Sequence, residues 1–310
     1  MNYYQKASKL NGCVNDAYSI KKVLDRHGNR TKNFDINFKV SSCADEVIEK
    51  KSLKNDIEKL FKDDNDIALF YFSGHGYIDT TGGYLITSEC KNGDDGLSMN
   101  DLLIFVNNSK AKNKIIILDC CHSGEFGNIK QSNADNALLS EGTTILTASG
   151  KDEYAAENNG SGLFTRLFVD AMNGSASDLV GNITPGSIYS HIDQSLGAWE
   201  QRPIFKTYVK TFTTLRKVPP PISLSNLKKL VELFHTKEKN FKLDPSFEPE
   251  SKNPINENVA KFKLLQKYNR INLVVPVGAK HMYFAAIKSK SCKLTILGKY
   301  YWNLIKNEKI

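Results

Sequence analysis

Over its first two-thirds the chain alternates short apolar runs with amphipathic stretches, and this alternation limits the fold more than any other feature. The runs at residues 35–40, 67–72, 84–87, 114–118, 143–148 and 205–209 are rich in Ile, Val, Phe and Tyr and read as strands covered on both faces. Between them, residues 15–27, 44–61, 98–108, 162–172 and 185–197 carry helical spacing; Met99, Leu102, Leu103 and Val106 follow the i, i+3, i+4, i+7 rule. Thr184 before Pro185 reads as an N-cap followed by a first-turn proline. Strands alternating with helices predict an α/β layer with a mostly parallel sheet flanked by helices.

The pattern stops at residues 218–222, Val-Pro-Pro-Pro-Ile, which no helix or central strand tolerates. We therefore divide the chain into residues 1–217, a proline-rich linker at 218–222, and an accessory unit at 223–310. The expected elements of that unit are a helix at 223–234, a long polar loop at 236–258, and a helix at 259–268. Two strands at 272–277 and 282–286 and a helix at 294–305 follow. Helix, hairpin and helix in a basic unit suit a winged-helix-like module. Charge divides close to the same place: residues 216–310 hold 19 of the 42 Lys+Arg but 7 of the 34 Asp+Glu, a net of +12 against −4 for the rest. Such asymmetry points to two units with different partners.

Composition closes off other classes. The chain has 40% hydrophobic and 25% charged residues, so it is not disordered throughout. No window of 18 apolar residues exists, and the first ten residues lack the apolar core of a secretory signal. A cytoplasmic location, with reduced thiols, is the expectation. Six cysteines without CxxC pairs suit neither a disulfide scaffold nor a zinc site.

The chemistry concentrates at two strand ends. The run at 67–72 leads into Ser73-Gly74-His75-Gly76, and the run at 114–118 into Asp119-Cys120-Cys121-His122-Ser123-Gly124. Ligands of an open parallel sheet gather beyond the carboxyl ends of its strands, so both motifs should face one crevice. A thiol that titrates near about 8.5 becomes a nucleophile at neutral pH beside an imidazole. The flanking glycines leave room for a peptide and free backbone N–H groups for an oxyanion.

YFSGHG and LDCCHSG resemble the histidine and cysteine motifs of caspase-like peptidases, specifically the metacaspase branch. The 46-residue separation of His75 and Cys121 suits the caspase spacing. Asn11-Gly12-Cys13-Val14-Asn15-Asp16 resembles that branch's GCxND segment. Weaker matches are residues 145–157, Gly162-Leu163-Phe164-Thr165 and Gln201-Arg202-Pro203. The resemblance spans roughly residues 2–213 and implies a caspase-like fold and a cysteine endopeptidase.

Carried over residue by residue, the resemblance makes His75 the general base and Cys121 the nucleophile, because Cys-His-Ser-Gly is the family's order; Cys120 stands one place too early. It gives the oxyanion to the backbone N–H groups of Gly76 and Cys121. It places Asp16, Asp119 and Ser73 in the primary substrate pocket, where two carboxylates select Arg over Lys before the scissile bond. Substrates would be proteins or peptides with basic residues. No metal ligand set and no required cofactor follow. Asp94-Asp95 and Asn100-Asp101 are partial echoes of a calcium loop, short of the six to eight oxygens calcium takes. Residues 1–4 match only the tail of the family's apolar first strand. Residues 125–142, where a subunit linker would lie, form a short segment containing Lys130.

Relatives of this architecture imply a signal-activated effector of cell death or anti-phage defence, with a nucleotide activator or partner protein acting on the basic unit. Two other readings use the same residues: a catalytically silent signalling module, and a nucleic-acid-binding regulator using Lys288, Lys290, Lys293 and Lys299 with Tyr300, Tyr301 and Trp302.

Overall fold

The structure is a computed structural model that describes residues 1–120, 139–148, 157–158, 161–197 and 202–310. It divides into two compact units, Met1–Pro219 and Pro220–Ile310. The first unit begins with α1 (Cys13–Asp25), α2 (Lys50–Lys62), β1 (Ile67–Ser73), β2 (Gly76–Ile78), β3 (Gly83–Leu85) and β4 (Leu97–Ser98). It continues through α3 (Met99–Asn107), β5 (Asn113–Asp119), β6 (Thr143–Thr147), β7 (Glu157–Asn158) and β8 (Ser161–Gly162). Then come α4 (Leu163–Asp170), β9 (Asn182–Ile183), α5 (Pro185–Ser195), β10 (Ile204–Tyr208) and β11 (Arg216–Lys217).

The central sheet runs β1-β5-β6-β10, with β1, β5 and β6 parallel and β10 antiparallel to β6. Side chains alternate across it and feed two cores. On one face Ile116 and Leu118 meet Leu53, Ile57 and Phe61 of α2 and Leu102 and Val106 of α3. On the other, Ile115 and Ile117 meet Ile20 and Leu24 of α1, Phe164 and Phe168 of α4, and Ile188 and Ile192 of α5. Each such side chain, fully buried, contributes about 1.5–3 kcal/mol. This is the mixed α/β, mostly parallel architecture with helices on both faces that the alternation predicts.

Three expectations need correction. Residues 35–40 join no strand, although Asp35, Asn37 and Lys39 are exposed in alternation with the half-buried Ile36, Phe38 and Val40. The helix expected from residue 44 starts at Lys50, because the Glu46 carboxylate accepts from the backbone N–H and hydroxyl of Ser42 and holds a turn there. The strand at 204–208 is half-buried to exposed rather than covered on both faces, as befits an antiparallel edge.

The second unit comprises α6 (Leu224–Lys228), α7 (Leu230–Leu233), β12 (Phe241–Lys242), α8 (Asn256–Arg270), β13 (Val274–Val277), α9 (Met282–Ile287), β14 (Ser291–Leu294) and α10 (Ile296–Lys306). Its three strands form an antiparallel sheet in the order β12-β14-β13. The hairpin expected at 272–286 is not formed: β13 pairs with β14, and residues 282–287 are helical. Met282, Ala285 and Ala286 are buried together at i, i+3, i+4, a helical spacing that overrides the β-propensity of the neighbouring aromatics. Residues 236–258 do more than loop. They supply Leu243 and Phe247 to the core, and Phe234, Phe241, Phe247 and Phe262 make successive ring contacts at 5.9, 5.8 and 6.4 Å. The Trp302 indole N–H donates to Phe234 O at 2.6 Å and ties α10 into the same core.

Candidate active site

Parallel pairing of β1 with β5 sets Ser73 opposite Asp119, so the two strands end together. The Gly74 N–H donates to Asp119 O at 3.3 Å, extending the pairing one step past β1. Glycine is required there: a Cβ on Gly74 would lie 2.6 Å from the Tyr4 hydroxyl. That hydroxyl accepts the His75 N–H at 2.9 Å, and the two rings lie 4.7 Å apart. Burial pushes the Tyr4 phenol well above the ordinary tyrosine range, so it remains a neutral hydroxyl.

The His75 ring is half-buried, and its Nε2 lies 2.8 Å from Ser8 O and 3.4 Å from Ser8 Oγ. A carbonyl oxygen only accepts, so the bond to Ser8 O needs the proton on Nε2. The neutral ring then offers Nδ1 as its lone-pair base. Ser8 was not found from sequence, because the orienting group is a backbone carbonyl and side-chain type carries no signal for it. Gly76, expected as an oxyanion donor, opens β2 directly after His75 and lies opposite Leu85 of β3.

The two carboxylates expected in the pocket, 103 residues apart in sequence, are brought together at Gly162. Asp16, in the first turn of α1, is buried; its carboxylate accepts from the Gly162 N–H at 3.1 and 3.3 Å and from the Ser161 hydroxyl. Asp119 is buried too, and its Oδ2 accepts from Thr165 Oγ1 at 2.6 Å. A Cβ placed on Gly162 would lie 2.8 Å from Asp119 Oδ2 and 3.3 Å from Asp16 Oδ2, so both carboxylates abut the same methyl-sized space. Gly162 is also the N-cap of α4, whose positive dipole end favours carboxylates beside it. Thr165 in turn contacts Tyr71 Oη at 2.9 Å; since it donates to Asp119, the Tyr71 hydroxyl donates to it. Burial first, then the charges of Asp119 and Asp16, push the Tyr71 phenol far up. Thr165 and Gly162 were supporting motif matches in the sequence; Tyr71 had no signal beyond an apolar strand.

Ser73 is buried at the end of β1, its carbonyl accepting from the Met1 amine at 2.6 Å. Cys120 is buried and packs in the core with Tyr4, Phe72 and Leu118. Cys121, the expected nucleophile, lies outside the described residues, as do His122 and Lys130 and most of the 145–157 match. Two of the acids that echo a calcium loop have other partners: Asp95 accepts the Lys91 and Asn92 N–H groups at 3.2 and 3.0 Å, and Asp101 pairs with Lys54 at 2.7 Å.

A family model of the caspase domain matches residues 1–229. The chain belongs to the caspase-domain family. Solved structures share the fold at low identity. A protein from Geobacter sulfurreducens is 16% identical with a TM-score of 0.50, the alignment covering 69% of this chain and 92% of that one. Caspase-1 from Spodoptera frugiperda is 12% identical with a TM-score of 0.49, over 70% and 88% of the two chains. No curated protein matches the sequence. The caspase domain thus accounts for the first unit and runs a few residues past the triple proline, leaving residues 230–310 beyond the match. No helix among the described residues is long and apolar enough to cross a membrane.

Proposed function

We propose that the chain is a cysteine endopeptidase of the metacaspase branch that cleaves proteins after Arg, and less readily after Lys. The observation that supports this best is the convergence of the buried Asp16 and Asp119 carboxylates on Gly162, beside the strand end that carries Ser73 and His75. Two carboxylates in a buried pocket favour a cation, and a guanidinium meets them with paired hydrogen bonds. A caspase that cleaves after Asp needs positive charge at that place.

In this reading His75 Nδ1 takes the Cys121 thiol proton while Ser8 O holds the ring through Nε2. The thiolate attacks the peptide carbonyl, and the backbone N–H groups of Gly76 and Cys121 receive the oxyanion. The C–N bond then breaks as the imidazolium protonates the leaving amine. Water, deprotonated by the same ring, hydrolyses the thioester and returns the thiol.

We assign the basic second unit the part of a sensor, which makes the protein a signal-gated effector in cell death or anti-phage defence. Support comes from its net charge of +10 and from a broad depression of about 900 Å3 edged by Lys237, Lys293 and Lys299 beside Glu238. Such a field attracts anionic partners, a nucleotide messenger first among them.

Purified wild-type protein and Cys121→Ala are to be compared on Arg, Lys and Asp reporter peptides, with and without calcium and nucleotides. Cleavage after Arg that Cys121→Ala abolishes is the expected result. Cleavage after Asp overturns the specificity, and no cleavage under any condition, with nucleic acid bound instead, favours the regulator reading.

A further inference from the structure

Between Glu257 and Glu308 the chain has no acidic residue: residues 258–307 hold ten Lys+Arg and not one Asp or Glu. A long stretch of one sign makes a field that draws a polyanion. Inside it, Met282-Tyr283-Phe284-Ala285-Ala286-Ile287 forms α9, a helix with no polar residue on any face. Met282, Ala285 and Ala286 face the core and are buried. Tyr283, Phe284 and Ile287 are 48%, 42% and 36% exposed. A helix that is apolar all round is ordinarily covered all round, so this outer face is suited to a ligand or partner.

The exposed rings are surrounded by cations. The Tyr283 and Phe284 centroids lie 5.3 Å apart, the rings inclined at 72°, and the His281 ring is 6.1 Å from that of Phe284. The Lys288 ammonium stands over the Phe284 ring, 5.4 Å from its centroid. The N–H groups of Lys288, Ser289 and Lys290 donate to the carbonyls of Phe284, Ala286 and Ala285 at 3.1, 3.0 and 2.8 Å, which fastens the two lysines to the end of α9. The Lys290 stem packs on Gly278, 3.4 Å from where a Cβ would stand, two residues before Lys280. Asp244, just past β12, keeps its carboxylate in its own turn, accepting from the Ser246 N–H and hydroxyl at 2.9 and 2.5 Å.

Rings set among ammonium groups match an unpaired strand of nucleic acid, which offers a base face to stack and a phosphate at every link. A duplex hides its base faces in its own stack. Two of the three exposed side chains are aromatic, and one carries a cation over its face, which suits a base better than a lipid chain. The last helix does not supply the rings: Tyr301 is buried, and the Trp302 N–H is held by Phe234 O.

We infer that α9 and the lysines around it bind single-stranded nucleic acid, with Tyr283 and Phe284 stacking on bases and Lys280, Lys288 and Lys290 holding phosphates. Ring faces and phosphates read neither sugar nor sequence, so DNA and RNA strands bind alike. No residue of α9 lines the depression assigned to a messenger, and peptide cleavage plays no part, so the inference stands apart from both of those readings.

The probe is a fluorescein-labelled oligothymidylate of about twelve nucleotides, titrated with the full chain and followed by anisotropy. Binding should saturate, and its log affinity should fall linearly with log salt concentration. Phe284→Leu and Tyr283→Leu keep the apolar bulk and remove a ring, and each should weaken binding about tenfold. Lys288→Gln and Lys290→Gln should weaken it too and make the salt dependence shallower, each by about one phosphate contact. All four side chains are exposed, so melting temperatures should match wild type. Unlabelled oligouridylate should compete as well as oligothymidylate, and a duplex of the same length about tenfold less well. No saturable binding overturns the inference. Unchanged affinity in both leucine variants, or equal competition by duplex, overturns it by reducing the surface to charge alone. A strong preference for one sugar overturns the stacking-and-phosphate assignment. Sedimentation with phosphatidylserine vesicles, without oligonucleotide binding, overturns it in favour of a lipid surface.

Discussion

The Nε2 of His75 is hydrogen-bonded to the carbonyl oxygen of Ser8 at 2.8 Å, across 67 residues of sequence. The same imidazole is fixed at its backbone by Tyr4, so two residues of the N-terminal segment set its position and its tautomer. Orientation by a carbonyl fixes the ring proton on Nε2 and leaves Nδ1 as the lone-pair nitrogen.

Tyr4→Phe keeps the ring and removes the acceptor for the His75 N–H. A backbone donor left without its partner costs about 1–3 kcal/mol. The expected outcome is a lower melting temperature and a fall in kcat for an Arg peptide, with KM changed little because the carboxylate pocket is untouched. An unchanged kcat shows that the Tyr4 contact does not position the imidazole.

Gly162→Ala puts a methyl group within 2.8 Å of Asp119 Oδ2 and 3.3 Å of Asp16 Oδ2. The carboxylates must separate or α4 must shift, an overpacking cost of about 1–3 kcal/mol. The Arg-to-Lys preference, measured as the ratio of kcat/KM values, should shrink. A ratio equal to wild type, in a protein that remains folded by circular dichroism, places the specificity pocket elsewhere.

Thr165→Val removes the hydroxyl that donates to Asp119 and accepts from Tyr71 while keeping the shape. A hydrogen bond to a charged group contributes about 1.5–3 kcal/mol. We expect activity on Arg peptides to fall in the same direction as in Asp119→Asn, and the double variant to lose less than the sum of the two. Additive losses, measured as kcat/KM in the four-member cycle, show that Thr165 does not act through Asp119.

The sequence discloses the parts of this site that lie at strand ends. Apolar runs at 67–72 and 114–118 identify two buried strands, and parallel pairing in register then places Ser73 beside Asp119. Asp16 was legible only through its motif, because nothing in its local sequence says that a first-turn acid reaches across to Gly162. Ser8 was invisible, since a backbone carbonyl has no residue-type signature. In the second unit, the aromatics near 282–286 suggested a strand, while the buried i, i+3, i+4 set of Met282, Ala285 and Ala286 decided for a helix. The polarity of 236–258 masked Leu243 and Phe247, two apolar residues spaced among prolines that nonetheless enter the core.

Glu248 gives the second unit a pH dependence of definite sign. Burial, then the charge of Glu250, raises its carboxyl above the ordinary range, and its Oε2 has no hydrogen-bond partner among the described residues. A raised folded pKa means stability that is present in acid, below the unfolded value, and lost as pH rises through the folded value. Glu248→Gln should therefore raise the melting temperature at neutral pH and make little difference near about pH 2.5, well below the unfolded value, where the wild-type carboxyl is protonated in both states. An equal shift at both pH values attributes the effect to packing instead.

The two adjacent cysteines are told apart by the burial of the first and by motif order. Cys120 is only 1% exposed and packs among Tyr4, Phe72 and Leu118, so a substrate carbonyl cannot reach its sulfur without unfolding the core. Asp119 before it is held by Thr165 at the α4 end, on the face opposite that core, as the two-residue period of a strand requires. In the proposed reading, the Cys-His-Ser-Gly order of the resembling family gives the nucleophile's role to the next residue, Cys121. Cys121→Ala and His75→Ala should each abolish turnover of an Arg peptide, whereas Cys120→Ala should retain most of it. A peptide chloromethyl ketone ending in Arg, followed by mass spectrometry of the digested protein, maps the reacting thiol directly. The adduct is expected on Cys121, and an adduct on Cys120 reverses the assignment.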